Sequence, residues 1–144
     1  MKLTTRGHYG LIAMVYLAVK LDDGAIPLRT IATVEKIPEQ YLEQLFLELR
    51  KANLITSVRG AKGGYKLARK PSEIQVGEVI RVLEGPIAPV ECLKDYEANC
   101  CDKTTYCMTK MVWEKLKDTM DNVLDDMTLA DIINQDMPLD ARKG

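Results

Sequence analysis

The stretch from Leu54 to Pro71, LITSVRGAKGGYKLARKP, holds two short β-prone runs, 55–58 and 65–67, around a glycine-rich basic turn. This is a hairpin pattern. Its place in the chain constrains the fold strongly, because three helical patterns precede it. In residues 4–20, TTRGHYGLIAMVYLAVK, the residues Tyr9, Ile12, Ala13, Tyr16 and Val19 recur near a 3.6-residue period behind a capping threonine, Thr4 or Thr5. Gly7 and Gly10 weaken the intrinsic helicity of its first turns. The break LDDGAIP separates it from a short second helix, LRTIATVEKI. Pro38 suits the first turn of a third, PEQYLEQLFLELRKAN, in which Leu42, Leu45, Phe46 and Leu49 form one apolar stripe and Asn53 ends the pattern. Helix, short helix, helix and basic hairpin are the order of a winged helix-turn-helix, with the hairpin as wing.

Pro71 opens a second half of different character. IQVGEVIRVLEG reads as a connecting helix that ends at Gly85, and residues 86–107 show no period and read as a loop. From about Thr109 to Asp126, Trp113, Leu116, Met120, Val123, Leu124 and Met127 fall on one face of a long amphipathic helix. So long a helix has little core of its own to cover in a short chain, and pairing with a second copy would bury its stripe. TLADII, capped by Thr128, gives a last short helix before a polar tail. The expected fold is mainly α (α+β). Residues 1–70 form a winged helix-turn-helix, 71–85 a connecting helix, 86–107 a cysteine-bearing loop, 108–136 a dimerisation helix with the short last helix, and 137–144 the tail.

Charge divides the same way. Residues 1–70 carry 12 Lys or Arg against 6 Asp or Glu, whereas residues 71–144 carry 8 against 15. The first half therefore suits an anionic partner. Burying Leu42, Leu45, Phe46 and Leu49 turns Gln40, Glu43, Gln44 and Lys51 outward. Gln pairs bidentately with adenine in the major groove and Glu accepts from cytosine N4. The wing adds Arg59, Lys62 and Lys66 on a turn whose glycines permit close approach to a phosphate chain. Gly60 to Lys66 lacks the spacing, and the Ser or Thr after Lys, of a nucleotide-binding loop. Tyr65 reads as a packing residue at the start of its strand.

No Ser-His-Asp or paired-carboxylate pattern stands out, and the single histidine, His8, is far in sequence from any thiol, so an enzyme is not expected. No apolar run approaches a membrane span and MKLTTRGHYG lacks the apolar core of a signal peptide, which points to the cytoplasm. In that reducing compartment a cluster of cysteines reads as ligands or redox groups before disulfides. All 4 cysteines lie in ECLKDYEANCCDKTTYC, as C-x7-C-C-x5-C. That spacing fits neither zinc ribbons nor common ferredoxins. The adjacent Cys100 and Cys101 diverge, so three thiolates plus a borrowed ligand is the economical set. An iron-sulfur cluster, zinc and a thiol redox switch all remain open on this chemistry.

The blocks LTTRGHYGLIAMVYLA, IPEQYLEQLFLELRKANLITSVRGAKGGYKLA, VGEVIRVLEG and CMTKMVWEKL together resemble the IscR-type winged-helix iron-sulfur transcription regulators, relatives of the nitric-oxide-sensing NsrR and iron-sensing RirA regulators. The resemblance runs from about Met1 to Asn134. It implies a homodimer on palindromic double-stranded operator DNA, with a long helix crossing between subunits. It further implies a cluster, read as 2Fe-2S in preference to 4Fe-4S, held by Cys92, Cys101 and Cys107, with Cys100 as the alternative to Cys101. The histidine that completes the site in the enteric cluster regulator is replaced here by Lys110, which when protonated cannot ligate. The position of a partner-supplied ligand in the nitric-oxide sensors matches His8, against another oxygen ligand or a bound small molecule. Residues matching Glu43, Gln44 and Arg59 are associated with DNA recognition in the cluster-sensing members. On this reading the cluster-loaded form represses cluster-assembly genes. The rival is a zinc-stabilised or thiol-redox-responsive winged module without a cluster switch.

Overall fold

The computed structural model describes residues 3–89 and 104–135, with the backbone alone at 104–107. Helix α1 (Thr5–Val19) starts at Thr4, whose hydroxyl oxygen accepts from the Arg6 amide. After a single 3-10 turn at Leu21–Asp23, α2 (Leu28–Glu35) ends on Lys36 in the left-handed region. Buried Ile37 and the preset φ of Pro38 then launch α3 (Glu39–Lys51). Leu42, Leu45, Phe46 and Leu49 of α3 are fully buried. Asn53, at a φ of 61°, takes the strained turn after that helix.

Strands β1 (Ile55–Val58) and β2 (Gly64–Leu67) form the antiparallel hairpin, with Ile55 opposite Leu67 and Val58 opposite Gly64. The hairpin is also tied to the α1–α2 connection: Ile26 and Tyr65 exchange two backbone hydrogen bonds of 2.8 Å. Gly64 is required there, because its φ is 152° and a Cβ would lie 2.3 Å from the Ile26 carbonyl. The root of the wing is thereby stitched to the helical body by main chain.

A 3-10 turn at Pro71–Glu73 leads into α4 (Val76–Glu84), which packs on α1, α3 and α5. The glycines that weaken α1 as an isolated helix are what let α4 approach. A Cβ on Gly10 would lie 1.9 Å from Leu83 Cδ1, and one on Gly7 2.9 Å from Glu84 Cγ. Close packing thus overrides local propensity.

Helix α5 (Thr104–Asp126) is long, as the periodicity predicts, but it begins five residues before Thr109. Cys107 therefore lies on helical backbone and not in a loop. Thr104, Thr105 and Tyr106 are poor helix formers, so only propagation from the stronger sequence beyond them extends the helix back. The short α6 (Leu129–Ile133) begins at Thr128 in a reciprocal capping box with Asp131.

Two core clusters form among the described residues. The larger centres on α1, α3 and the hairpin; the smaller joins Val76, Ile80 and Ile87 to Met120 and Leu124. Part of the α5 stripe therefore covers its own chain, on the smaller of the two clusters. The remainder does not: Leu116, Val123 and Met127 stay 43%, 52% and 38% exposed. Among the described residues no helix is long and apolar enough to cross a membrane.

Candidate nucleic-acid interface

The burial of its apolar stripe fixes the outward face of α3. Gln40, Glu43, Gln44 and Lys51 are exposed. The first three line an open groove of about 520 Å³ together with Leu47, Arg50, Phe46 and Tyr65. Tyr65 is half-buried and meets Phe46 edge-on at 4.9 Å, which gives it the packing role expected of it. The same contact sets the wing's distance from α3. Arg50 Nη1 donates to Ser57 Oγ at 3.5 Å across the helix and hairpin, a link made where both partners are exposed. Arg59, Lys62 and Lys66 are exposed on the hairpin. One side of the molecule thus carries amide and carboxylate groups suited to base edges and, beside them, cations suited to phosphate.

Arg50 and Leu47 escaped the sequence reading of this face. Their signal is present, since 40, 43/44, 47 and 50/51 continue one helical side, but a leucine among leucines carries no mark of being exposed.

Two polar joints connect α4 to α1 and to α5. The Glu84 carboxylate crowns the N-terminus of α1, accepting from the Gly7 amide at 2.7 Å, the Thr4 amide at 3.3 Å and the Thr4 hydroxyl. Arg6 Nε donates to the Leu83 carbonyl at 3.0 Å. Burial pushes the Glu84 carboxyl up, but the bonds from Thr4 and Gly7 and the charge of Arg6 outweigh it and hold the group below the ordinary carboxylate range. At the other joint Arg81 donates bidentately to Asp125 at 2.8 and 2.9 Å and to Asp121 at 3.0 Å. Lys117 Nζ donates to the other Asp121 oxygen at 2.7 Å. Burial raises Asp121, yet Lys117 and Arg81 bring it down on balance, while hydrogen bonding to Asp125 is the main force raising Arg81. Gly77 leaves the space that the Asp125 carboxylate fills. Neither joint was read from the sequence, since each joins groups 40 or more residues apart.

His8 is exposed on α1 and borders a second groove, of about 460 Å³, with Leu11, Val15, Tyr16 and Ile132. Cys92, Cys100 and Cys101 lie outside the described residues, and Cys107 is placed by its backbone alone. Among the described residues no group of three or more His, Cys, Asp or Glu could hold a metal.

Comparison with known proteins bears on this interface directly. The family described as Rrf2, iron-dependent transcriptional regulator, matches residues 3–135. CymR of Bacillus subtilis, an HTH-type transcriptional regulator, is 44% identical over 132 residues, covering 92% of this chain and 89% of its own. Its solved structure, titled as that of the global cysteine regulator, superposes with a TM-score of 0.78 at 41% identity, covering 92% of this chain and 95% of that one. The HTH-type transcriptional regulator IscR of Aliivibrio salmonicida is 38% identical over 133 residues, covering 92% and 77%. The structure of T. potens IscR gives a TM-score of 0.77 at 42% identity, covering 100% of this chain and 97% of that one. These relatives are transcriptional regulators, not enzymes.

Proposed function

The chain belongs to the Rrf2 family of transcriptional regulators, and from that membership we propose a dimeric, cytoplasmic repressor whose residues 38–66 read operator DNA under the control of an iron-sulfur cluster. One observation carries the DNA-binding part. Gln40, Glu43 and Gln44 share a groove with Tyr65 of a hairpin whose exposed turn bears Arg59 and Lys62. In such a domain α3 enters the major groove while the wing tracks the backbone, and a two-fold dimer sets two half-sites about one helical turn apart.

The sensor is assigned to Cys92, Cys101 and Cys107, with Cys100 as the alternative to Cys101 and His8 of the partner subunit as fourth ligand. Soft thiolates with one imidazole are a donor set suited to iron-sulfur chemistry, and His8 is exposed where a second chain can reach it. When bound, the cluster, 2Fe-2S in preference to 4Fe-4S, supplies sensitivity to iron and oxidants. The chain's own part is to hold it next to α5, whose backbone carries Cys107. The cluster-loaded form represses genes of cluster assembly.

A second reading rests on the likeness to CymR, whose structure is titled as a global cysteine regulator. On that reading the thiols of this chain respond to redox state or bind zinc, and no cluster forms. Anaerobic purification decides between the two. A brown protein with stoichiometric iron and sulfide supports the cluster, and a colourless one, with or without zinc, supports the rival. For the DNA-binding part, unchanged operator affinity in a Gln40→Ala, Glu43→Ala, Gln44→Ala triple variant would overturn the assignment of α3.

A further inference from the structure

Leu47 is 46% exposed on α3. Single exposed leucines are common on protein surfaces. This one differs in its company, because it lies in the groove lined by Gln40, Glu43, Gln44 and Arg50. The core does not use it: Leu42, Leu45, Phe46 and Leu49 already fill the buried side of the helix. One turn beyond Glu43 and Gln44, its side chain shares their face. The charged Arg50 sits a further turn along and reaches Ser57 on the hairpin. The part of its side chain left in water between hydrogen-bonding groups gains nothing from folding.

On the major-groove floor the apolar feature of a base edge is the 5-methyl group of thymine. We propose that Leu47 is a specificity-determining residue that seats one thymine methyl in each half-site, beside the base pairs read by Glu43 and Gln44. The inference rests on α3 being the recognition helix. Gln40 and Gln44 match adenine edges and Glu43 a cytosine amino group, and none of them distinguishes thymine by its methyl. Leu47 fills that gap with the chemistry the methyl requires.

The test uses the full-length protein. An operator is first selected from random duplexes, and each thymine of a half-site is then replaced singly by deoxyuridine, which removes the methyl and leaves base pairing intact. The native protein should lose about fourfold in affinity at one thymine position, the worth of burying one methyl-sized group. The Leu47→Ala variant, shown by circular dichroism to be folded, should bind the thymine and uracil duplexes equally. The inference is overturned if no thymine shows the loss, or if Leu47→Ala retains the same ratio between the two duplexes. Failure of the selection to enrich any duplex sinks the DNA-binding reading itself, and the inference with it.

Discussion

Glu84 joins two helices through one carboxylate, and its chemistry fixes how the joint answers to acid. Because hydrogen bonds from Thr4 and Gly7 hold its folded pKa below the ordinary value of about 4.3, its contribution is complete at neutral pH. It is lost as pH falls through the folded value. Glu84→Gln should therefore lower stability by about 1 kcal/mol or less at pH 7, given the partly solvated site, and the gap from the native protein should narrow as pH falls below the ordinary carboxylate range. Urea unfolding of both proteins at pH 7 and pH 3.5 measures this, and a gap that widens in acid would refute it. At this scale the sequence was partly legible. Gln40, Glu43 and Gln44 turn outward as the stripe of Leu42, Leu45 and Phe46 requires. Glu84 was not legible, since its partners lie 77 to 80 residues away and a glutamate at the end of a helix looks like any solvated charge.

Among the elements, the hairpin and the α4–α5 pair make separate commitments. The wing offers Arg59 and Lys62 to solvent without a role in the core, so Arg59→Ala should leave folding intact. It should weaken operator binding and reduce the slope of log affinity against log salt by about 1. A titration at several salt concentrations in which native and variant slopes coincide would remove Arg59 from the phosphate contacts. The Arg81 strap stands on solvent-screened bonds to Asp121 and Asp125. Arg81→Met should cost about 1–2 kcal/mol and raise amide exchange in α5, where Asp121 and Asp125 reside. Element order was readable because each helix repeats near 3.6 residues and the hairpin breaks that repeat with Gly60, Gly63 and Gly64. The start of α5 was not, because Thr104 to Tyr106 are drawn into the helix only by the stronger helix formers C-terminal to them.

Across the whole molecule, the larger core draws on both halves, taking in Val79, Leu83 and Leu129, while α5 leaves apolar surface open. Met108, Met111, Val112, Leu116 and Val123 are 80%, 64%, 53%, 43% and 52% exposed. A second copy laid along α5 would cover them, and a stable dimer needs roughly 1,200–2,000 Å² of total buried area. Leu116→Lys with Val123→Lys should yield a folded monomer by sedimentation, with operator affinity reduced to that of a half-site. A dimer that survives both changes would move the interface elsewhere. Helix α4 has a further consequence for the assembled protein. One of its side chains crowns α1 and another clamps α5, so on the proposed reading a shift of α5 would be felt at α1. Such coupling is reciprocal in free energy. If the proposed sensor exerts a factor on operator affinity, the operator must exert the same factor on the sensor's hold on its ligand. The genome would then act as an effector of the sensor, and a protein seated on its operator would report a different threshold from the same protein free in solution.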